Sequence, residues 1–251
     1  MPSPARDSRS NDELIRANRG FYESLWADAH LMEPQRFNTW PLVRELVAAA
    51  PRRLEVAPGL RPRLPLEDTC FIDLSHAALR QLRQRGANAA HGMIGALPCL
   101  KASFDLICAL DILEHVADDE GALRELARVA APGATVLLSV PLHQHAWTAF
   151  DEFVGHCRRY EPDRIMVLLA QHGFTIEQSA VYGMQPKSSR LLELGQWFLV
   201  HRRQRAMWWY NRVFMPLGVR FQKPLQWRDG IGDTQGVDEL LLRCRFRQVT
   251  D

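Results

Sequence analysis

The sequence predicts an α/β fold with a parallel sheet, and three observations support this. From residue 53 onward, short apolar segments of strand length alternate with longer segments of helical periodicity. The first apolar segment ends in Glu55 and a glycine turn at Gly59, and the second ends in another acid, Asp73. A strand, a tight turn and an acid that closes the next strand are how such sheets bind the ribose of a nucleoside. We therefore expect a nucleoside-bearing ligand at this edge of the sheet.

The elements follow in order along the chain. Helical periodicity over residues 13–27 and 34–50 predicts two helices that pack on the sheet or over its ligand. Short apolar runs bounded by turn residues predict strands near residues 53–57, 69–73, 88–92, 104–110, 134–140, 174–182 and 238–246. Between them, helical periodicity predicts helices near residues 75–86, 118–131 and 161–172.

The length and composition fit one domain. With 251 residues, of which 47% are hydrophobic, the chain can build one ample core. Residues 1–12 are rich in Pro, Ser and Arg and lack an apolar stretch, so we expect a disordered tail and no signal peptide. We divide the domain, residues 13–251, into N-terminal helices, a cofactor-binding core, a helical cap and a last strand, at residues 13–50, 51–182, 183–236 and 237–251.

Charge and cysteine content exclude several functional classes. A net charge of +2 is too small to indicate a nucleic-acid partner by itself. The five cysteines are odd in number and show no metal-ligand spacing, which favours a reducing compartment, and we expect a cytoplasmic protein. No apolar run reaches the roughly 18 residues that a membrane-spanning helix needs.

The run from Glu55 to Gly59, Glu-Val-Ala-Pro-Gly, resembles the first motif of the class I S-adenosylmethionine (SAM)-dependent methyltransferases, an acid followed by glycines at alternate positions. The resemblance continues in the right order over about residues 53–182, through residues 71–75, 92–98, 103–116 and 126–141. It implies a Rossmann-like seven-stranded sheet whose last strand is reversed and lies beside the fifth. It also implies SAM as the cofactor.

The resemblance implies a set of cofactor contacts at the carboxyl ends of the strands. These residues are Glu55, Ala57, Gly59, Asp73, Leu74, Met93, Ile94, Leu110 and Asp111. The chain departs from the family pattern at three positions, because Ala57 and Arg61 replace glycines and Met93 replaces a frequent acid. A thioether is a weak acceptor, so we expect apolar or backbone contacts to the adenine and a lowered cofactor affinity.

Candidate catalytic bases follow the fifth strand, in residues 141–160. Histidine titrates near neutral pH and suits general-base catalysis, and the candidates are His143, His145 and His156. Residues 155–160, Gly-His-Cys-Arg-Arg-Tyr, resemble a Gly-His-x-Arg-Arg-Tyr segment of one methyltransferase branch, so His156 is equally well interpreted as a structural brace. For acceptor binding we name Trp147, Arg158, Tyr160, Tyr182 and Trp208.

Residues 183–236 are too long and too periodic for a loop, and we expect a helical cap between strands 6 and 7 that closes over the acceptor. Four of the seven tryptophans lie here among several arginines. This mixture suits an acidic or aromatic acceptor, or a peripheral membrane surface. The favoured interpretation is that the aromatic side chains pack the cap onto the sheet while the charges are solvated.

Residues 111–115, Asp-Ile-Leu-Glu-His, offer three potential metal ligands after the fourth strand. They resemble the metal-binding stretch of ubiquinone-type O-methyltransferases, and their oxygens suit Mg²⁺ or Ca²⁺ better than Zn²⁺. The favoured interpretation holds no metal: Asp111 faces the cofactor, and Glu114 and His115 hold the backbone.

The sequence thus predicts an enzyme that transfers a methyl group from SAM to a small-molecule acceptor, in secondary or specialised metabolism. No nucleic-acid partner is expected, and membrane contact is not the favoured interpretation. Two alternatives stay open: a SAM-fold binding protein that transfers nothing, and a peripheral membrane enzyme that acts on a lipid-linked acceptor. The motifs do not distinguish methylation at oxygen, nitrogen or carbon.

Overall fold

The computed structural model describes residues 23, 25–26, 29–183, 197–198 and 201–247. Its strands are β1 Arg53–Val56, β2 Thr69–Asp73, β3 Asn88–His91, β4 Phe104–Ala109, β5 Ala130–Pro141, β6 Phe174–Val181, β7 Arg228–Asp229 and β8 Glu239–Phe246. They form one sheet in the order β3-β2-β1-β4-β5-β8-β6-β7.

Helices connect and cover the strands. The α-helices are α1 Trp40–Ala49, α2 His76–Gln84, α3 Asp119–Val129, α4 Ala149–Val154, α5 Pro162–Gln171, α6 Arg203–Trp209 and α7 Met215–Arg220. A π-helical turn, Tyr210–Phe214, joins α6 to α7, and shorter 3-10 turns lie at Pro34–Arg36, Leu113–His115 and Gln144–Ala146. α2, α3 and α5 are the three helices that the periodicity predicts between the strands.

Local side chains set where the helices begin. The Ser75 hydroxyl accepts a hydrogen bond from the Ala78 amide at the start of α2, and the Asp118 carboxylate accepts one from the Gly121 amide at the start of α3. These contacts satisfy amides that have no partner inside a helix. Thr148 caps α4 in the same way. The helices therefore start where their capping residues stand.

The pairing of the strands places the site. β1 to β5 pair with one another in parallel, with Glu55 opposite Phe71 and Asp73 opposite His91. β8 is antiparallel to both β5 and β6, between which it lies. Because the carboxyl ends of the parallel strands meet at one edge, the segments that follow β1, β2, β4 and β5 surround a common crevice.

The number of strands differs from the prediction. The sheet has eight strands, because Arg228 and Asp229 form a short β7 that pairs with Gln178 and Ser179 of β6. Residues 183–236 are therefore not wholly helical. Two residues of irregular composition carry too little periodic signal to predict a strand, and β7 exists only because β6 has an open edge beside it.

The N-terminal helices also differ from the prediction. Residues 34–50 form a 3-10 turn and a separate helix α1, with an extended Phe37 between them. Pro41 accounts for the late start, since a proline is tolerated in the first turn of a helix and not in its interior. In the helix predicted at 13–27 only Glu23, Leu25 and Trp26 are described. The tail at 1–12 lies outside the described residues.

Both faces of the sheet are covered. Leu54, Ile107 and Leu138 point to the face that α3 and α5 cover, whereas Leu106 and Leu137 point to the face covered by α1. The side chains of adjacent residues alternate between the faces, and all of these positions are almost fully buried. This explains why the strands read as nearly continuous apolar runs.

Within the described residues, no helix is both long enough and apolar enough to cross a membrane.

Candidate active site

Two buried acids hold the turn that follows β1. Glu55 is 3% exposed and accepts hydrogen bonds from the backbone amides of Arg63 and Leu64, each at 2.8 Å. Burial raises the pKa of Glu55 to about 7. Glu55 therefore holds the loop in place, and its carboxylate oxygens are occupied by hydrogen bonds from backbone amides.

Asp73 lies on the other side of the same turn. Its Oδ2 accepts a hydrogen bond from the Gly59 amide at 2.9 Å, and its Oδ1 accepts one from the Ser75 amide at 2.7 Å. Burial raises the pKa of Asp73 to about 6, although these amides act in the opposite direction. Each oxygen keeps a further lone pair, so the carboxylate can still accept a ribose hydroxyl.

The turn itself has a left-handed backbone. Ala57 and Gly59 both have a φ of +55°. A methyl group on Ala57 is tolerated there, whereas a Cβ on Gly59 would lie 2.2 Å from Cζ2 of Trp26. Glycine is therefore required at 59 both by the backbone and by the indole that packs on it.

Trp26 is the site residue that the sequence did not reveal. Its side chain is 7% exposed, and the Arg61 guanidinium lies 5.0 Å from the indole ring. The only sequence signal for Trp26 is its place in an apolar helical pattern, which does not show which loop it will contact. Arg61, which replaces a family glycine, is thus turned toward the N-terminal segment.

The N-terminal segment crosses the crevice. The Glu23 carboxylate accepts hydrogen bonds from the His76 and Ala77 amides at the start of α2. Leu25, Trp26 and Ala29 pack in one cluster with side chains from both sides of the crevice, Leu60, Ala78 and Val154. The segment therefore bridges the loops after β1 and β2 and helix α4.

The described residues of the cap contact the N-terminal segment. Asn211 accepts a hydrogen bond from Arg61 and donates one to the Leu25 carbonyl oxygen. Met215 and Val219 of α7 pack with Met32 and Phe37. The described part of the cap thus contacts the site end of the molecule through the N-terminal segment.

The segment after β3, which the resemblance predicts to flank the adenine, runs close to the core. A Cβ on Gly92 would lie 2.8 Å from Ile72 and from Pro98, so the backbone passes close to both. Met93 is 39% exposed, whereas Ile94 is 4% exposed and belongs to the core. Of this pair, Met93 is therefore the one open to a ligand, and the contact it offers is apolar. Leu74 is half-buried and Leu110 nearly buried on the neighbouring strand ends.

Asp111 stands at the mouth of the crevice after β4. It is exposed, has a φ of +54°, and exchanges hydrogen bonds with the Ser139 hydroxyl of β5. Its carboxyl group lies close enough to Glu239, at the start of β8, for the two to interact electrostatically. Burial, together with Asp111, raises the pKa of both Glu239 and Glu114. Glu114 is 3% exposed, and its Oε2 has no hydrogen-bond partner. The crevice mouth is therefore acidic.

A brace on Asp151 organises the loop after β5. Asp151 is fully buried and accepts hydrogen bonds from Arg159 at both oxygens, at 2.9 and 3.0 Å, and from His156 Nδ1 at 2.8 Å. Burial favours a higher pKa for Asp151, but the hydrogen bonds from His156 and Arg159 outweigh it and hold the pKa well below its usual range. The structure thus places His156 in a structural brace.

Two residues assigned to the acceptor belong to the same scaffold. Tyr160 is fully buried and donates a hydrogen bond to Asp119 at 3.1 Å, and Arg158 forms an ion pair with Asp119. Tyr160 is thus buried within this scaffold, and its assignment to the acceptor stays a prediction. The Arg158 guanidinium is committed to Asp119 and to the Ala117 carbonyl oxygen.

The other two histidines lie together on the outer part of the loop. His143 Nε2 is 2.8 Å from the Thr234 carbonyl oxygen, so this nitrogen carries the proton and Nδ1 is the basic one. His145 is exposed, and the two ring centroids are 5.2 Å apart. Trp147, two residues on, is half-buried.

The last two acceptor candidates, Tyr182 and Trp208, lie in different parts of the structure. Tyr182 lies in the crevice, where its hydroxyl accepts a hydrogen bond from Arg63 at 2.9 Å and its amide donates one to Glu239. Trp208 is 48% exposed on α6 and packs edge-to-face with Trp209.

Two clusters have a geometry that could hold a metal ion. Among the described residues, Glu114, His115 and His156 place ligand atoms within 4.8 Å of one another, as do His143, His145 and Glu161. Burial lowers the pKa of His115 to about 3, which keeps its imidazole neutral. Asp111 is part of neither cluster. The expectation that the protein holds no metal stays a prediction.

The sheet order, the acid-closed strands and the crevice at their carboxyl ends define a class I methyltransferase fold. Residues 49–179 match the family model of the methyltransferase domain. The chain belongs to this family, and its cofactor is SAM.

A curated relative matches part of the chain. Norajmaline N-methyltransferase from Rauvolfia serpentina is 27% identical over 99 residues, which make up 39% of this chain and 28% of that enzyme. The match therefore spans less than a third of the relative's length.

Solved structures share the fold over nearly the whole chain. The cyclase SpnF superposes with a TM-score of 0.60 at 17% identity and covers 95% of this chain and 96% of its own. A SAM-dependent methyltransferase from Thermotoga maritima gives a TM-score of 0.55 at 16% identity, with 93% of each chain covered. At these identities the likeness shows the fold alone.

The residues present fit SAM. Gly59 and Gly92 have no room for a side chain, so backbone lines the crevice on both sides of Asp73. Asp73 offers the carboxylate that a ribose requires, and Met93 offers an apolar surface for a base. Trp26 and Arg61 stand where the resemblance expects an open glycine-rich turn, so these two side chains narrow the cofactor crevice.

Gly59→Ala tests the contact between the turn and Trp26. The new Cβ would lie 2.2 Å from the indole at a left-handed φ, so we expect a loss of about 1–3 kcal/mol in the free energy of unfolding. Gly95→Ala is the matched control, because a Cβ there meets nothing within 4 Å. Chemical denaturation measures both variants, and equal stability would contradict the contact.

SAM affinity should weaken in acid, because Asp73 accepts ribose hydrogen bonds best as a carboxylate. Its pKa is raised to about 6, so affinity is retained above this pH and falls below it. Asp73→Asn should weaken binding by about 1–3 kcal/mol and remove the acid limb. Asp105→Asn, whose carboxyl pairs with Arg52 at the start of β4, is the control. Calorimetric titration at several pH values decides, and an acid limb that survives in Asp73→Asn would refute the assignment.

Arg159→Met should cost about 3–5 kcal/mol of stability, because it leaves Asp151 buried without its guanidinium. Arg124→Met is the control, since the Arg124 side chain is 59% exposed and its ion pairs should contribute about 0–1 kcal/mol. Thermal and urea unfolding measure both. If the two variants lose the same stability, Asp151 and Arg159 do not form a brace.

Proposed function

We propose that this protein is an enzyme that transfers a methyl group from SAM to a small-molecule acceptor. The proposal rests on one observation: at the carboxyl ends of β1 and β2, the Gly59 amide donates a hydrogen bond to the Asp73 carboxylate. Membership of the methyltransferase-domain family supports it. When bound, SAM supplies a methyl group made electrophilic by its sulfonium.

The residues of the crevice have distinct roles in this proposal. Asp73 accepts hydrogen bonds from the ribose, and Glu55 holds the loop that carries Gly59. Trp26 and Leu25 cover the crevice and exclude water from it. The acceptor then enters beside Asp111 and Tyr182, and the protein lowers the barrier mainly by fixing donor and acceptor in line.

The acceptor itself is best matched by a basic small molecule. The carboxyl groups of Asp111, Glu114 and Glu239 cluster at the crevice, where burial and their mutual repulsion raise the pKa of Glu114 and Glu239. The same repulsion disfavours the acidic acceptor that the arginine-rich cap suggested. An amine would be attracted there and would lose a proton to a carboxylate or a histidine before transfer. The match to an N-methyltransferase of small molecules is in line with this.

The base and the cap complete the proposal. His145 is exposed and His143 presents Nδ1, so these two remain the histidines for a general base, with His156 assigned to the brace. Residues 183–236 are proposed to close over the acceptor. The contacts of Asn211 and α7 with the N-terminal segment support this placement.

A second candidate is a SAM-fold protein that transfers nothing. Trp26 packs directly on Gly59, and Arg61 fills the position of a third glycine, so the cofactor must share a narrowed crevice. The same fold also serves the cyclase SpnF, which shows that the fold alone does not determine the reaction.

Calorimetry and a transfer assay separate these functions. We expect SAM and its demethylated product to bind, and labelled methyl to pass to a pool of small amines in preference to matched phenols and carboxylic acids. Methyl transfer to the carboxylic acids alone would contradict the proposal that the acceptor is basic. Binding without transfer to any pool favours the non-catalytic candidate, and absence of SAM binding would overturn both.

A further inference from the structure

The segment from α6 to α7 exposes large apolar side chains. Trp208, Trp209, Phe214, Leu217 and Phe221 are 48, 45, 60, 49 and 75% exposed. We call these five side chains the aromatic face. Four of them are aromatic, and among the described residues Trp197 is the only other exposed large aromatic side chain, so the exposure is concentrated in one segment. Single exposed apolar residues are ordinary on a surface, but five large ones within 14 consecutive residues indicate a binding surface.

The orientation of the face is set by its opposite side. Phe214, Leu217 and Phe221 recur at helical spacing on one side of α7, while Met215 and Val219 on the other side are 5 and 7% exposed and pack on Met32 and Phe37. The helix therefore already has an inner apolar face buried against the protein. The aromatic face is a second, outer apolar face.

The charge of the same segment is strongly one-sided. Residues 201–223 contain six arginines and lysines and no aspartate or glutamate, although the whole chain has a net charge of only +2. The exposed cations are Arg202, Arg205, Arg212, Arg220 and Lys223, and none of them forms an ion pair with an acid in the part of the chain that the structure describes. The partner of this face should therefore carry negative charge.

We propose that the aromatic face docks the protein on an anionic lipid surface. Tryptophan and phenylalanine rings insert at the headgroup level while arginine and lysine side chains reach the phosphates around them. Leu217 favours a lipid over a nucleic acid, because an aliphatic side chain offers no stacking surface to a base. A second copy of this chain is disfavoured, because two faces of the same positive charge would repel each other.

Docking in this orientation would place the crevice close to the lipid. The inner side of the segment contacts Arg61 and Leu25 through Asn211, and both belong to the cover of the crevice. A membrane surface would therefore meet the part of the protein that must open for ligands. Docking does not depend on methyl transfer and is tested without it.

Vesicle flotation with the full chain tests the proposal. Vesicles of phosphatidylcholine and phosphatidylglycerol in equal amounts should carry the protein upward, and vesicles of phosphatidylcholine alone should carry much less. Added salt should weaken the binding, since it screens the arginines. Arg212→Gln with Arg220→Gln should lower the partition coefficient roughly 25-fold, or about fivefold for each charge.

A second pair of variants tests the apolar contribution. Phe214→Ser with Phe221→Ser should lower vesicle binding at least roughly tenfold while the melting temperature and the SAM affinity stay unchanged. The controls are Leu100→Ser, an 81% exposed apolar residue elsewhere, and Arg80→Gln on α2, and both should bind vesicles normally. SAM affinity is measured separately. A protein that binds vesicles but does not bind SAM would therefore contradict the proposed function and leave the docking proposal intact.

Three results would overturn the proposal. The first is equal binding to charged and uncharged vesicles, or to neither. The second is a dimer in light scattering that Phe214→Ser with Phe221→Ser dissociates, which would assign the face to a second copy. The third is salt-sensitive binding of single-stranded RNA that the same variants lose, in the absence of vesicle binding.

Discussion

The structure depends on two carboxylates that are buried beside one turn. Glu55 takes the amides of Arg63 and Leu64, and Asp73 takes the amide of Gly59, so that the loop after β1 is held from both sides. A buried carboxylate is costly unless it is hydrogen-bonded, and backbone amides are the partners available at the ends of parallel strands. The same bonds set the left-handed turn on which Trp26 packs. The crevice, its cover and its ribose acceptor follow from this one arrangement.

The loop after β5 is organised by the same principle with a different partner. Asp151 is fully buried and is satisfied by Arg159 and His156, and Asp119 is satisfied by Arg158 and Tyr160. Chemically reactive side chains are thereby used as scaffold. The acids at the crevice are less fully satisfied, since Oε2 of Glu114 accepts no hydrogen bond among the described residues. Acids thus cluster at the crevice, whereas arginines and lysines cluster on the segment from α6 to α7.

Several parts of the fold and site follow from sequence pattern alone. The strands that end in Glu55 and Asp73 were predictable because apolar runs closed by an acid are a local signal, and chain order brings parallel strand ends to one edge. The sequence could not show that Tyr160 and Arg158 would both bind Asp119, and the reason is physical. A tyrosine after a loop can point inward or outward, and the direction depends on Asp119, which lies far away in the chain. Strand β7 was not predicted, because a strand of two residues is too short to show a periodic hydrophobic pattern.

The sequence by itself determined the order of the strands other than β7, the cofactor edge of the sheet and the family, because each rests on short-range patterns that survive without knowledge of contacts. The tertiary structure alone decided that Trp26 packs on Gly59, that His156 braces Asp151, and that Phe214 and Phe221 face outward. These facts concern residues that are distant in the chain, or the choice between two faces of a helix. Periodicity states that a helix has two faces, and only packing against the rest of the protein decides which one is buried.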